Sequence, residues 1–354
     1  MGQFRKKLII MTAAGALAVS TLAGCGSSMD NDAVVAEVGK DQITLGVANF
    51  YARMQQAQYE TYYAGMMGMT GEDMWKQEIE EGKTYEDSTK ESVLEALENM
   101  YLLNQHAADY DIELTEDDKK AIDKAANLFV EENTLEDKEA VSGYEKNVKK
   151  FLELATIQSR MDQPMKEGVD EEVSDDEAAQ KSMQYVLFSY NKTDEEGNSE
   201  AMSDDEKAAQ KQKAQEFADN LKADENKDIE AAAQGAELEV QTASFDSEST
   251  SPNADLVKAA DAIENEGDVT DIVDTDSGIY VAKVTSFLDR EATDAKKESI
   301  VEERKQEQYD SLLKKWREDT EIKEHKKVWK KVNFEDQGVT IKQSEDDYTD
   351  SADE

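Results

Sequence analysis

The chain has 354 residues, with 82 Asp and Glu against 40 Lys and Arg and a formal net charge of −42. A field of that sign repels phosphate backbones, so no nucleic-acid partner is expected, and it suits basic or unfolded protein partners. The apolar residues recur with helical and strand periods, which argues against a disordered acidic chain, and the length allows two or three modest domains.

Arg5, Lys6 and Lys7 precede an apolar run from Leu8 to about Leu22. That run is shorter than a spanning helix needs, which predicts a signal peptide over residues 1–24. Leu22-Ala23-Gly24-Cys25 closes it and contains the only cysteine of the chain. The segment resembles a bacterial lipobox. The resemblance implies lipidation of the Cys25 sulfur with diacylglycerol, cleavage before Cys25, and a mature chain anchored to the outer face of the cell membrane by a polar tether over 25–32. The other reading is an ordinary secretory signal with an incidental cysteine. With the thiol consumed, no disulfide, cysteine nucleophile or thiolate metal site is expected.

Residues 33–38 alternate as a strand, Gly39-Lys40-Asp41 supplies a turn, and a second short strand begins at Ile43. A helix is predicted over 45–63, followed by a flexible Met-rich stretch from Gly65 to Gly71. The clearest helix is 88–109, where Val93, Leu97 and Tyr101 share a face with Leu94, Met100 and Leu103 beside them. Glu91, Glu95 and Glu98 are expected to face water. Thr115 with Asp118 forms a capping box for the next helix, and another helix is predicted over 144–161.

The character changes around Pro164. Ser174 with Glu177 caps a short helix, and Tyr185-Val186-Leu187-Phe188 predicts a buried strand. A polar loop over 190–202 leads to a Ser203/Glu206 capping box, whose helix carries Ala209, Phe217 and Leu221. Strands are predicted over 238–245, 269–273 and 279–284, with a small helix over 256–263. A helix over 294–316 follows, with Ile300, Tyr309, Leu312 and Trp316 on one side, and the chain ends in an acidic tail.

Several chemistries fail on spacing. Gly82-Lys83-Thr84 has the end of a phosphate loop, but Gln77 stands where its first glycine belongs. Asp274 and Asp276 suggest a calcium loop, but Ile279 and Thr285 occupy its glycine and terminal glutamate positions. The only histidines, His106 and His325, are far apart, and His106 reads as a partly buried helix residue. No serine sits in a Gly-x-Ser-x-Gly turn. No metal and no cofactor are expected. A dense Met and aromatic stretch remains, from Phe50 to Trp75. Tyr62, Tyr63, Met66, Met67, Met69 and Trp75 are its candidate client-binding residues, because methionine surfaces adapt to varied partners. A stripe at helical spacing is also what a core requires, so both readings stand.

Thr275-Asp276-Ser277-Gly278-Ile279 resembles the last strand of parvulin-type (PpiC-type) peptidyl-prolyl isomerases, and Tyr185-Val186-Leu187-Phe188 stands where that family has its first strand. Lys213 to Ala233 is similar to the following helix, and Glu266-Gly267-Asp268-Val269 to a later turn. Residues 92–125 and the 33–45 hairpin resemble the N-terminal region of PrsA-type and SurA-type foldases. The resemblance implies an α+β protein. In it, a helical chaperone domain is built from 33–165 and a returning helix in 291–333, with a parvulin-like domain inserted over 174–290 and an acidic tail over 334–354. It implies catalytic positions at Tyr185, Ser277 and Tyr280, with both family histidines replaced by tyrosine, so isomerase activity and a purely structural binding fold both stay open. Expected partners are unfolded or nascent secreted proteins and the membrane. A solute-binding lipoprotein of an importer is the alternative, although 45–161 carries almost no strand signal; a surface scaffold is a third.

Overall fold

The computed structural model describes residues 17–21, 29–64, 66, 68–193, 199–335 and 337–341; Cys25 and Met67 lie outside them. The chain is α+β and divides into two compact units, one of residues 1–168 with 306–354 and one of residues 169–305.

In the first unit, strands Val34–Val38 and Asp41–Thr44 form a hairpin that turns at Gly39, where φ is 55°. Ile322–Glu324 adds antiparallel to the hairpin, Ile322 opposite Val38. Helix Leu45–Gln58 passes directly into a π turn, Tyr59–Tyr63, so the predicted helix over 45–63 holds with a widened last turn. The long helix is Tyr85–His106. It starts before Ser88 because Thr84 and Asp87 form a capping box that satisfies two otherwise orphaned N–H groups. Thr115 and Asp118 cap Glu116–Glu132 as expected, and Thr134 with Asp137 does the same for Leu135–Ala140. Helix Glu145–Met165 runs past the predicted end and takes Pro164 into its final turn. A two-stranded sheet pairs Leu17–Thr21 antiparallel with Gln337–Ile341.

One core gathers Trp75, Leu97, Leu102, Leu103, Leu154 and Met161 with Trp329 and Phe334. A second centres on Phe50, whose ring meets Phe129 edge-on at 5.2 Å, and takes in Val148 and Val339. Glu98 corrects the sequence reading: it is buried rather than facing water, and Arg317 donates to its Oε2 at 2.9 Å. The residues that cover this side of the helix come from 306–319, far away in sequence.

In the second unit, Lys181–Ser189 is central. It pairs antiparallel with Gly278–Ser286 on one side and Gln241–Phe245 on the other, and Val273–Thr275 lies at the edge beyond Gly278–Ser286. Alternation sorts the strand residues to two faces. Val186, Phe188, Ile279 and Val281 pack under helices Asp204–Ala223 and Ile229–Gly235, while Met183, Tyr185, Tyr280, Ala282 and Val284 pack under helix Ala254–Asp261. Covering on both faces explains the near-continuous apolar runs in antiparallel strands.

Three strand expectations change. The 238–245 strand is confined to Gln241–Phe245, while Leu238 and Val240 pack against the first of these faces. Residues 269–272 give only a bridge from Val269 to Lys283, where the Thr270 hydroxyl takes the Ala282 N–H at 3.1 Å, and Val273 instead opens the edge strand Val273–Thr275. The 190–202 loop carries a small hairpin, Asn191–Thr193 with Ser199–Ala201. Every pairing among the described residues is antiparallel, whereas lobes of repeated β-α units carry parallel strands.

Candidate functional site

Tyr185 and Tyr280 share one face of the second unit's sheet, with ring centroids 5.9 Å apart. Each is only 7% exposed, inside a cluster with Phe245, Leu256, Val257 and Ala260. Burial, and then Tyr280, push the Tyr185 phenol above its usual value, so it stays protonated and donates to Gln241 Oε1 at 2.5 Å. Its one proton is thus committed to a neighbour. Prolyl isomerisation has a barrier of about 20 kcal/mol, and a catalyst must offer a shaped groove or a donor to the twisted imide. This pair is arranged as core.

Ser277 lies elsewhere, in the turn before Gly278. Its Oγ is 3.1 Å from Thr275 Oγ1, whose hydroxyl also donates to the Gly278 carbonyl at 2.8 Å. With Tyr190, Lys207, Asn253, Asp255, Asp274 and Asp276 it lines an open cleft of about 580 Å³, and neither Tyr185 nor Tyr280 contributes to that lining. Tyr190 donates to Asp274 at 2.6 Å and Lys211 reaches the other Asp274 oxygen at 2.8 Å. Burial and the Asp274 carboxylate push Tyr190 up to about 12. The cleft is polar and acidic, unlike the apolar groove a proline ring requires. Among the described residues no group of three or more His, Cys, Asp or Glu is placed to hold a metal ion. His106 stacks on Trp316 at 4.2 Å and meets Asp109 through Nδ1 at 2.8 Å, a packed position.

The aromatic stretch of the first unit splits in two. Tyr62 and Tyr63 are 52% exposed and Met66 is 83% exposed, side by side on the π turn and the bend after it. Met69 is partly buried against the core. Trp75 corrects the client-surface expectation, because it is fully buried. Its indole stacks on Tyr85 at 5.4 Å and lies 4.9 Å from the Phe334 ring. Its Nε1 donates to Glu60 Oε1 at 2.8 Å.

Sequence reasoning passed over Glu60, which ties this region together. Besides the Trp75 indole it accepts Gln56 Nε2 at 2.7 Å and the Val339 N–H at 2.8 Å. Burial raises its pKa against those bonds. A carboxylate among so many aromatics is the one signal that marked it.

The two units differ in acid. In the second, ion pairs and hydrogen bonds hold carboxyls low: Asp175 by Arg290 and Lys297, Glu206 at about 2 by Lys192 and the N–H and hydroxyl of Ser203, Asp268 by Lys227, and Asp271 by Lys222. In the first, His325 and Lys83 lower Glu37 and Glu91, but burial raises Glu60 and Glu98. A lowered carboxyl contributes stability above its unfolded pKa of about 4 that is lost as pH falls through the folded value; a raised one acts in the opposite sense. The second unit is therefore expected to lose more stability between about pH 4 and pH 2. All three tryptophans, Trp75, Trp316 and Trp329, lie in the first unit. Acid titration should show far-UV circular dichroism changing before tryptophan fluorescence; coincident transitions would contradict this.

No protein-family model matches the sequence, and no curated protein matches it. Among solved structures the chain is similar to the foldase protein PrsA from Lactococcus lactis, at 13% identity and a TM-score of 0.33 over 85% of this chain and 99% of that one. It is similar to the foldase protein PrsA from Streptococcus pneumoniae at 16% identity and a TM-score of 0.30, covering 73% of this chain and 99% of that one. It is also similar to a structure of the SurA-like chaperones of Campylobacter jejuni at 15% identity and a TM-score of 0.27, over 82% of this chain and 98% of that one.

Proposed function

We propose that this chain is a lipid-anchored extracytoplasmic chaperone of the PrsA type that holds unfolded or nascent secreted proteins. One observation carries the reading: Tyr62 and Tyr63 stand exposed on the π turn, and Met66 stands exposed in the turn that follows it. Large apolar side chains grouped on a surface mark contact sites, π turns recur at functional positions, and methionine adapts to varied partners. The ordered sequence motifs of the foldases and the lipobox at Cys25 support the same reading. No helix among the described residues is long and apolar enough to cross a membrane, and the Cys25 lipid is the proposed attachment. The second unit serves as a binding and spacing module, since its tyrosine pair is packed and Tyr185 already donates to Gln241.

The test is suppression of aggregation by the soluble chain carrying Cys25→Ser. Replacing Tyr62, Tyr63 and Met66 together by serine is expected to weaken suppression at least about fivefold with stability nearly unchanged, because exposed substitutions shift stability by about 0.5 kcal/mol or less each. Undiminished suppression would remove the patch from the reading, and no suppression by the parent chain would remove the reading itself. Prolyl exchange in a model peptide is expected to stay at the uncatalysed rate; acceleration that Tyr280→Phe abolishes would restore the isomerase assignment. Mass analysis of the anchored protein should find diacylglycerol on an N-terminal Cys25.

A further inference from the structure

The exposed pair Tyr62 and Tyr63 adjoins a segment that is strongly acidic. The Tyr63 ring lies 5.4 Å from Tyr59, and Tyr59 lies 5.8 Å from Tyr85. Burial first, then Tyr59 and Tyr63, push the Tyr85 phenol up to about 12, so the three phenols are neighbours. Tyr85 also closes a short hairpin. Its N–H donates to the Gln77 carbonyl at 2.8 Å, and Glu78–Glu80 pairs with Lys83–Thr84 between those two residues. Helix Gly71–Lys76, which leads into the hairpin, begins against the π turn, since a Cβ at Gly71 would lie 2.9 Å from Glu60 Cδ.

This arrangement gathers Glu72, Asp73, Glu78, Glu80 and Glu81 beside the apolar patch, all of them exposed. The two lysines of the same segment are already engaged, Lys76 with Glu72 and Lys83 with Glu91 at 2.6 Å. Among the described residues no lysine or arginine forms an ion pair with Asp73, Glu78, Glu80 or Glu81. We propose that Tyr62, Tyr63 and Met66, together with the hairpin over 78–84, take a client segment in which aromatic or long aliphatic side chains are flanked by lysine or arginine. The inference rests on the chaperone reading of the patch and deepens it by naming what the patch selects. Tyrosine rings accept both apolar side chains and the cationic heads of lysine and arginine, and methionine adapts its shape to either. The stems of lysine and arginine lie along apolar surface while their heads reach outward to carboxylates. Carboxylates without a cation attract such flanks and repel acidic ones, so the selection has an attractive and a repulsive half.

The test uses the soluble full chain carrying Cys25→Ser and three labelled peptides that share one centre of leucine and phenylalanine. Their flanks are lysine, serine or glutamate. Dissociation constants are read by fluorescence anisotropy at about 0.02 M and about 0.5 M salt, where the screening length falls from about 20 Å to about 4 Å. At low salt the Lys-flanked peptide is expected to bind at least about fivefold more tightly than the Ser-flanked one, the scale of a few exposed ion pairs. The Glu-flanked peptide should bind most weakly, and the order should flatten at high salt. Glu78→Gln, Glu80→Gln and Glu81→Gln together should bring the Lys- and Ser-flanked peptides within about twofold of each other. The same change in net charge at exposed Glu225, Glu237 and Glu239 of the second unit should keep the preference. Tyr62→Ser, Tyr63→Ser and Met66→Ser together should weaken all three peptides. Equal binding of the three peptides, a preference that survives the hairpin substitutions, or undiminished binding without the patch would overturn the inference. Equal loss in both glutamine variants would also overturn it, because the preference would then belong to the field of the whole chain. No peptide bound while aggregation is still suppressed would overturn this inference alone, whereas loss of both would overturn the chaperone reading with it.

Discussion

Replacing Trp75 by alanine is expected to lower the stability of the first unit by about 3–5 kcal/mol. The indole is fully buried between Tyr85 and Phe334, so its own atoms add nothing to a surface. The substitution therefore separates a core residue from a client-binding one: stability falls, while whatever protein remains folded keeps its Tyr62, Tyr63 and Met66 surface. Trp75→Phe is the finer probe. It retains most of the volume and removes the Nε1 donor to Glu60, a loss of about 1–3 kcal/mol for a bond to a partly buried charged group. The Glu60 pKa is already raised by burial, and losing a donor raises it further. For a raised carboxyl the folded state is favoured below the unfolded pKa, and that advantage is lost as pH rises through the folded value. The Trp75→Phe penalty should thus be larger at pH 7 than near pH 4. Urea unfolding at both pH values, followed by the remaining tryptophans, decides this; a pH-independent penalty would mean that Glu60 does not sense the indole.

How far the sequence reaches is visible in particular residues. Thr115 with Asp118, and Ser203 with Glu206, were legible because a capping box is closed by atoms three residues apart. Tyr185 to Phe188 was legible as a buried strand, and the sharing of a face by Tyr185 and Tyr280 follows from the register that sets Ala282 opposite Tyr185. Glu98 and Trp75 were not legible, for one reason. What covers them comes from Arg317 and Phe334, far along the chain, and a local pattern shows which side chains form a stripe without showing what lies over it. The Gln337–Ile341 strand was hidden for the same reason, since it lies in a segment read as acidic tail and both its edges are satisfied by residues from the N-terminal part. In the candidate site, chemistry tracked locality too. Ser277 belongs to a turn bounded by its own neighbours, whereas the packing around the tyrosine pair depends on helix Ala254–Asp261 and was beyond reach.

The motif that carried the family resemblance makes the sharpest prediction, because its residues have unequal roles. Gly278→Ala is expected to destabilise the second unit by about 3–5 kcal/mol, the sum of backbone strain and steric overlap. At Gly278 φ is 148°, which L side chains rarely adopt, and an added Cβ would lie 2.4 Å from the Phe188 carbonyl oxygen and 3.0 Å from Ser189 Cα. Neither neighbour has room to yield. Gly278 is paired with Ser189 at the start of the ladder that joins the two longest strands, and the Tyr190 N–H donates to the Ser277 carbonyl at 3.0 Å beside it. Ser277→Ala removes only an exposed hydroxyl contact to Thr275 and is expected to change stability by about 0.5 kcal/mol or less. Amide exchange in Lys181–Ser189 and Gly278–Ser286 measures both substitutions directly. If the alanine at 278 leaves those amides protected while the alanine at 277 releases them, the order of roles is reversed. The expected order means that Thr275-Asp276-Ser277-Gly278 serves this sheet as the geometry of a strand entrance, in which the glycine is indispensable and the serine hydroxyl is not.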